Sequence, residues 1–226
     1  MVVFTTAESV VIQTFSMTLS IFSLIGEIFI ITSYYFFPKL RKFSFKLVLF
    51  MSLADVGATL SYFLGDPKND GSVICGLQAW GEQMFQLSSM LWSTAIALTL
   101  YRAVVSHKET DELMKYLHLL CFGLPFFLSF MPLTTDDYGT TGAWCWIKSD
   151  EPNDSGFWWR IFIFYIPLWA SIVFNAYSYY LVRKAMTTIF KVQTNINGEI
   201  NNEIPEKYKT LMKRLRLYPL ILVGCW

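Results

Sequence analysis

VICGLQAWGEQMFQLSSMLWSTAIALTLYRAV, residues 73–104, is the stretch that decides the fold. It opens on Cys75, ends on Arg102 and carries one charge between them, Glu82. Glu82, Gln86, Ser89 and Ser93 recur at steps of four, three and four. That spacing places them on one side of a helix, with Cys75 seven residues earlier on the same face. The helix is too long for a small soluble domain and too apolar for a surface. It is predicted to be the central membrane-crossing helix of a bundle, with its polar seam turned inward.

The composition agrees. The chain has 226 residues, of which 54% are hydrophobic, 18% aromatic and 15% charged, against roughly 25% charged in a soluble domain. The apolar residues come in long blocks, so a soluble helical bundle would leave fully apolar helices in water. A net charge of +1, without a basic patch interleaved with aromatics, gives no reason to expect nucleic-acid binding.

A membrane helix needs about 20 mostly apolar residues. The predicted spans are residues 10–37, 44–64, 73–104, 113–133 and 157–186, with an incomplete sixth at 211–226 and a polar, cytoplasmic loop at 187–210. The fold class is therefore an all-α membrane protein, with five full helices and the start of a sixth in a chain that looks cut off. The N-terminus has neither the basic start nor the small-residue cleavage pattern of a removable signal peptide, so the first helix is expected to be an uncleaved anchor. Prolines inside spans four and five are tolerable because neighbouring groups can satisfy the carbonyls they free. No internal repeat is visible, which weighs against a repeat-built transporter.

Lysine and arginine placement sets the orientation. With the N-terminus outside, all but Lys68, Lys148 and Arg160 of the 18 basic residues fall on the inner side. Cys75 and Cys145 then both face the oxidising side, so a disulfide between them is expected, tying the outer loop to the top of the third helix. Cys121 and Cys225, in apolar runs, read as inert buried thiols. Asn153 begins a glycosylation sequon, close to the fifth helix where the glycosylating enzyme has poor access.

Glu27 and Asp55 each lie about 15 Å from the inner ends of two antiparallel helices, at one depth. A bare carboxylate there costs about 2.5–3.5 kcal/mol, and two would repel, so shared protons, water or a cation are expected. They are either an intramembrane polar switch or ion site, or a structural clamp between helices. Glu82, Gln83 and Gln86, with Trp144 and Trp146 on the loop drawn over them, are a candidate outward-facing ligand pocket; the alternative is a packing seam with interfacial tryptophans. Trp158, Trp159, Tyr179 and Tyr180 read as belt anchors. Arg102 is a coupling residue or a positive-inside anchor, and composition alone favours the anchor. No catalytic set, metal-ligand spacing or phosphate loop is present, so neither an enzyme nor a cofactor is expected.

Six strings in order carry a resemblance: LRKFSFKLV at 40–48, Gly65-Asp66-Pro67, the cysteine opening and LYRAVV ending of the third helix, WCWI at 144–147, FYIPLW at 164–169 and YPLILVGCW at 218–226. Together they resemble the slime-mould cyclic-AMP receptor family of G-protein-coupled receptors, and within that group its plant receptor-like branch. The resemblance implies a seven-helix receptor with an outer ligand cavity. It also implies the Cys75–Cys145 bridge and a G-protein coupling surface of Arg102 with Lys39, Arg41 and Lys42. The acid that precedes the arginine in rhodopsin-like receptors is absent here. The family points to a cyclic nucleotide, but no outer basic cluster beyond Lys148 and Arg160 supports one, and the ligand stays open.

The expectation is a multi-pass plasma-membrane receptor, N-terminus outside, sensing an extracellular ligand and signalling to a heterotrimeric G protein from within the lipid bilayer, alone or as a homodimer. Two rivals are an ion-coupled transporter or channel using Glu27 and Asp55, and a truncated, non-signalling receptor partner.

Overall fold

The computed structural model describes residues 6–64, 71–106, 111–149 and 152–196. The predicted helix at 211–226 and the turn at Gly65-Asp66-Pro67 lie outside the described residues, as does the part of the loop beyond 196. The elements are α1 (Thr6–Phe36), α2 (Phe43–Leu64), α3 (Val73–Val104), α4 (Met114–His118), α5 (Leu124–Leu128), β1 (Tyr138–Thr140), β2 (Cys145–Ile147), α6 (Ser155–Arg160) and α7 (Ile166–Ile196).

Among the described residues four helical segments are long and apolar enough to cross a membrane: Glu8–Phe36, Phe43–Leu64, Met114–Thr135 and Ser155–Thr188. α3, the fifth helix of membrane length at 32 residues, is more polar than those four. The reason is that its polar side chains meet protein. No residue from Gln78 to Arg102 is exposed, whereas α1 presents Phe22, Ile25 and Phe29 outward. A helix wrapped by neighbours needs no apolar surface of its own.

The last two spans are interrupted. A π-helical turn at Leu119–Gly123 joins α4 to α5, and another at Ile161–Tyr165 joins α6 to α7. Each ends two residues before a proline, Pro125 or Pro167. A proline lacks the N–H that the carbonyl four residues earlier would accept, and its ring collides with that carbonyl in a regular helix. The widened π turn relieves the collision.

Packing divides the chain into two compact units. The first contains α1, α2, α3 as far as Trp92, and Lys115–Leu168. In it α2 and α3 approach closely at two glycines. A Cβ on Gly57 would stand 2.6 Å from the Phe85 ring, and one on Gly81 would overlap Ser61. Small residues are what let membrane helices meet backbone to backbone. Further along, Trp92 is fully buried in an aromatic cluster, with ring centroids 5.2 Å from Phe50, 5.3 Å from His118 and 5.4 Å from Phe122. Cys121 is a buried free thiol.

The second unit contains Ser93–Met114 and the chain from Trp169 onward. Ala97, Tyr179 and Val182 form its core, with Leu100, Phe174 and Met186 packed against it. Tyr179 is therefore a core residue and not the belt anchor expected from sequence, whereas its neighbour Tyr180 is exposed. Successive residues on a helix point about 100° apart, and Tyr179 shares the buried face of Ser171, Asn175 and Ser178.

The α2–α3 contact generates a test. Gly57→Ala is expected to lower stability by about 1–3 kcal/mol through overpacking. Gly26→Ala, where nothing lies within 4 Å of the added Cβ, is expected to be neutral or stabilising, since alanine is the better helix former. Thermal unfolding of both variants in lipid nanodiscs checks the difference.

Candidate functional site

The Cys75 end of α3 is closed by a β-hairpin. β1 and β2 pair antiparallel, Tyr138 opposite Ile147 and Thr140 opposite Cys145. Residues 141–144 turn the chain, with Gly142 at φ 103°, a conformation glycine adopts without strain. Cys75 and Cys145 form a disulfide, as expected from the sequence. Around it Cys75, Ala79, Tyr138, Cys145, Ile147 and Ile163 make a buried core. The Tyr138 hydroxyl donates to the Ser129 carbonyl at 2.7 Å, and burial pushes this phenol well above the usual tyrosine range.

Gln78 ties the hairpin to the helices. It is almost fully buried. Its Oε1 accepts the Cys145 N–H at 3.2 Å, and its Nε2 lies 3.2 Å from both the Tyr62 carbonyl of α2 and the Glu82 carboxylate. Gln83, one step round α3, makes a second tie. The Trp146 indole N–H donates to Gln83 Oε1 at 2.9 Å. Gln83 Nε2 donates to the Ile163 carbonyl at 3.4 Å, the carbonyl whose helical partner would have been the missing N–H of Pro167. On α1, Gln13 Nε2 donates to the Ala143 carbonyl at the hairpin tip, at 2.8 Å.

Of the five residues expected to line a pocket, Gln83 and Trp146 bond each other, and Glu82 is bonded to Gln78. Gln86 and Trp144 are half-buried, and the Trp144 carbonyl accepts from Thr141 within the turn. Trp146 meets Phe164 edge-on at 5.1 Å, and the Arg160 guanidinium lies 5.3 Å from its ring centroid. Arg160 also donates to the Ile147 carbonyl. Gln78 was missed in the sequence reading. It carries the signal that picked out its neighbours, because Cys75, Gln78 and Glu82 follow one another at steps of three and four.

Two acids lie deeper in the same unit. Glu27 is buried; one carboxylate oxygen accepts the Ser23 hydroxyl at 2.7 Å, and Oε2 has no hydrogen-bond partner among the described residues. Asp55 is within electrostatic reach of Glu27 and accepts a hydrogen bond from Ser89 of α3. Glu27 of α1 and Asp55 of α2 are thus within electrostatic range of each other, with α3 contributing the hydroxyl. Nearer the hairpin, Ser16 of α1 hydrogen-bonds Tyr62 of α2.

Arg102, in the last turn of α3, is half-buried, and its Nε has no hydrogen-bond partner among the described residues. Lys39, Arg41 and Lys42 are exposed between α1 and α2, where an Arg41 terminal nitrogen donates to the Tyr35 carbonyl at 2.8 Å. Asn153 is exposed in the left-handed region at φ 67°. Next to it Asp154 caps α6 by accepting the Phe157 N–H at 2.7 Å, and the Ser155 hydroxyl donates to Asp137 at 3.0 Å. Among the described residues no group of three or more histidine, cysteine or acidic side chains could hold a metal ion.

Gln78→Leu strands the Cys145 amide and the Tyr62 carbonyl, and each buried polar group left unpaired costs about 1–3 kcal/mol. Thermal unfolding is expected to show a loss of at least that size. Gln86→Leu, at a half-buried position, is expected to cost markedly less.

Comparison with known proteins agrees with this architecture. Residues 4–226 match the family described as slime mold cyclic AMP receptor. The chain is 30% identical over 205 residues to G-protein coupled receptor 1 of Arabidopsis thaliana, covering 90% of this chain and 61% of that one. It is 32% identical over 170 residues to Cyclic AMP receptor-like protein A of Dictyostelium discoideum, covering 75% and 43%. Against human G-protein coupled receptor 157 it is 28% identical over 216 residues, covering 89% and 63%. The chain thus spans about half to two thirds of the length of these relatives. With a match along nearly its whole length and several membrane-length helices, this chain belongs to the slime mold cyclic AMP receptor family of G-protein-coupled-receptor-like membrane proteins.

Proposed function

We propose that the protein is a plasma-membrane receptor, N-terminus outside, that senses an extracellular ligand and passes the signal to a heterotrimeric G protein. The observation that carries this reading is the build of α3 within the family frame. One end of the helix is bridged to a hairpin by Cys75–Cys145. The other end carries Arg102, whose buried Nε lacks a partner among the described residues.

In this reading the hairpin end faces outward, and Glu82, Gln83, Gln86, Trp144 and Trp146 line or cover the ligand pocket. Ligand binding shifts the bundle between two packings. Glu27 and Asp55 act as the switch: the buried, unpartnered Glu27 oxygen beside a second carboxylate favours a shared proton, water or cation whose position differs between the two packings. Arg102 at the far end of α3, and separately the exposed Lys39, Arg41 and Lys42 between α1 and α2, are the residues that contact the G protein. The family's description and the name of the Dictyostelium discoideum relative both carry cyclic AMP, which makes a cyclic nucleotide the first ligand to try. Arg160, a cation at the hairpin, is engaged with Ile147 and Trp146, so a phosphate group would have to compete for it.

The same Glu27 oxygen favours one other reading, an ion path through the bundle. One preparation separates the two. With the complete chain in lipid vesicles, the receptor reading predicts G-protein nucleotide exchange, lowered at least tenfold by Arg102→Ala, and no cation or proton flux. Flux abolished by Asp55→Asn, with no exchange under any ligand screened, would replace the receptor by the ion path.

A further inference from the structure

The Trp146 indole occupies a seat whose walls are held independently of it. Gln83 is fully buried, and its Nε2 is committed to the Ile163 carbonyl, four residues before Pro167, which has no N–H to give it. That commitment turns Oε1 towards the indole N–H, 2.9 Å away. Arg160 is pinned by the Ile147 carbonyl, which holds its guanidinium 5.3 Å from the indole ring centre. Phe164 closes a third side, nearly perpendicular to the indole at 79°. Neither of these two anchoring bonds is made by the Trp146 side chain. If that side chain rotated out, an oriented amide acceptor, a cation facing the ring and an aromatic wall would stay behind. The hairpin backbone would remain tied through Cys145 to Cys75 and Gln78.

We infer that Gln83, Phe164 and Arg160 form a binding seat for a flat, uncharged aromatic ring bearing one N–H donor. Trp146 fills it as a built-in occupant that an outside ligand of that class displaces. Each wall contributes one element of selectivity. The acceptor Oε1 demands an N–H. The guanidinium favours an electron-rich face and rejects a cationic ring. Phe164 selects for flatness by edge-on contact. The inference rests on the ligand-pocket half of the proposed function and not on G-protein coupling.

The test therefore reads binding alone, with indole as the probe and the complete chain in lipid nanodiscs. Trp146→Ala is expected to bind indole at least tenfold tighter than the unaltered protein in a thermal-shift titration. That gain should be lost with 1-methylindole, which has no N–H, and in the double variant Trp146→Ala, Gln83→Leu. No gain on opening the seat, or equal binding of indole and 1-methylindole, would overturn the inference. If Trp146→Ala does not fold, the unaltered protein decides. Its Trp146 indole N–H is expected to exchange with deuterium at least a hundredfold more slowly than that of the exposed Trp158, and equal rates would overturn the seat. A protein that binds indole as expected but fails to drive nucleotide exchange would count against the coupling proposal and leave the seat intact.

Discussion

Away from water, a backbone amide without a partner costs several kcal/mol, and a hairpin set into the end of a helical bundle brings such amides with it. The Cys145 N–H is the case in point: its residue is fully buried, and its acceptor is the side chain of Gln78. The arrangement around it follows. Gln78 spends its other end on the Tyr62 carbonyl and Glu82, so α2, α3 and β2 meet at one side chain. The disulfide, three residues earlier on the same face of α3, holds the strand at the distance the hydrogen bond needs. Without that bond the hairpin would be a flap on a tether. With it, the hairpin is part of the bundle's interior.

The prolines show the same constraint at work in the spans. Pro167 deprives the Ile163 carbonyl of its helical donor, and the π turn before it makes room for the ring. The freed carbonyl is then used to hold Gln83, which in turn receives Trp146. A defect in one helix thus becomes the positioning element for a polar contact between α3 and the hairpin. Deeper in, the arrangement is less complete. Glu27 keeps a carboxylate oxygen without a partner among the described residues, within electrostatic range of Asp55. A polar network with one open valence is a place where two states can differ by little energy.

Much of this was legible in the residues. The limits of α3, its polar seam and the disulfide follow from helical spacing and from which cysteines share a side of the membrane. The hairpin was not visible, because strands of three residues such as YGT and CWI are too short for alternation to register. The π turns were not visible either, since one extra residue shifts the period without changing the composition. Gln78 and Tyr179 were readable and misjudged. Gln78 continues the α3 seam towards Cys75, and Tyr179 lies on the buried stripe of Ser171, Asn175 and Ser178. Whether Trp146 would line a cavity or fill it depended on where Gln83 Oε1 points, and a sequence does not carry that information.

The hairpin belongs to the interior of the bundle through Gln78. Amide hydrogen exchange across residues 138–147, in the complete chain in lipid nanodiscs, tests it most directly. The Cys145 amide is expected to exchange as slowly as the interior of α3, and Gln78→Leu to bring it to the rate of an exposed loop with the disulfide still formed. A Cys145 amide that exchanges at loop rate in the unaltered protein would contradict it.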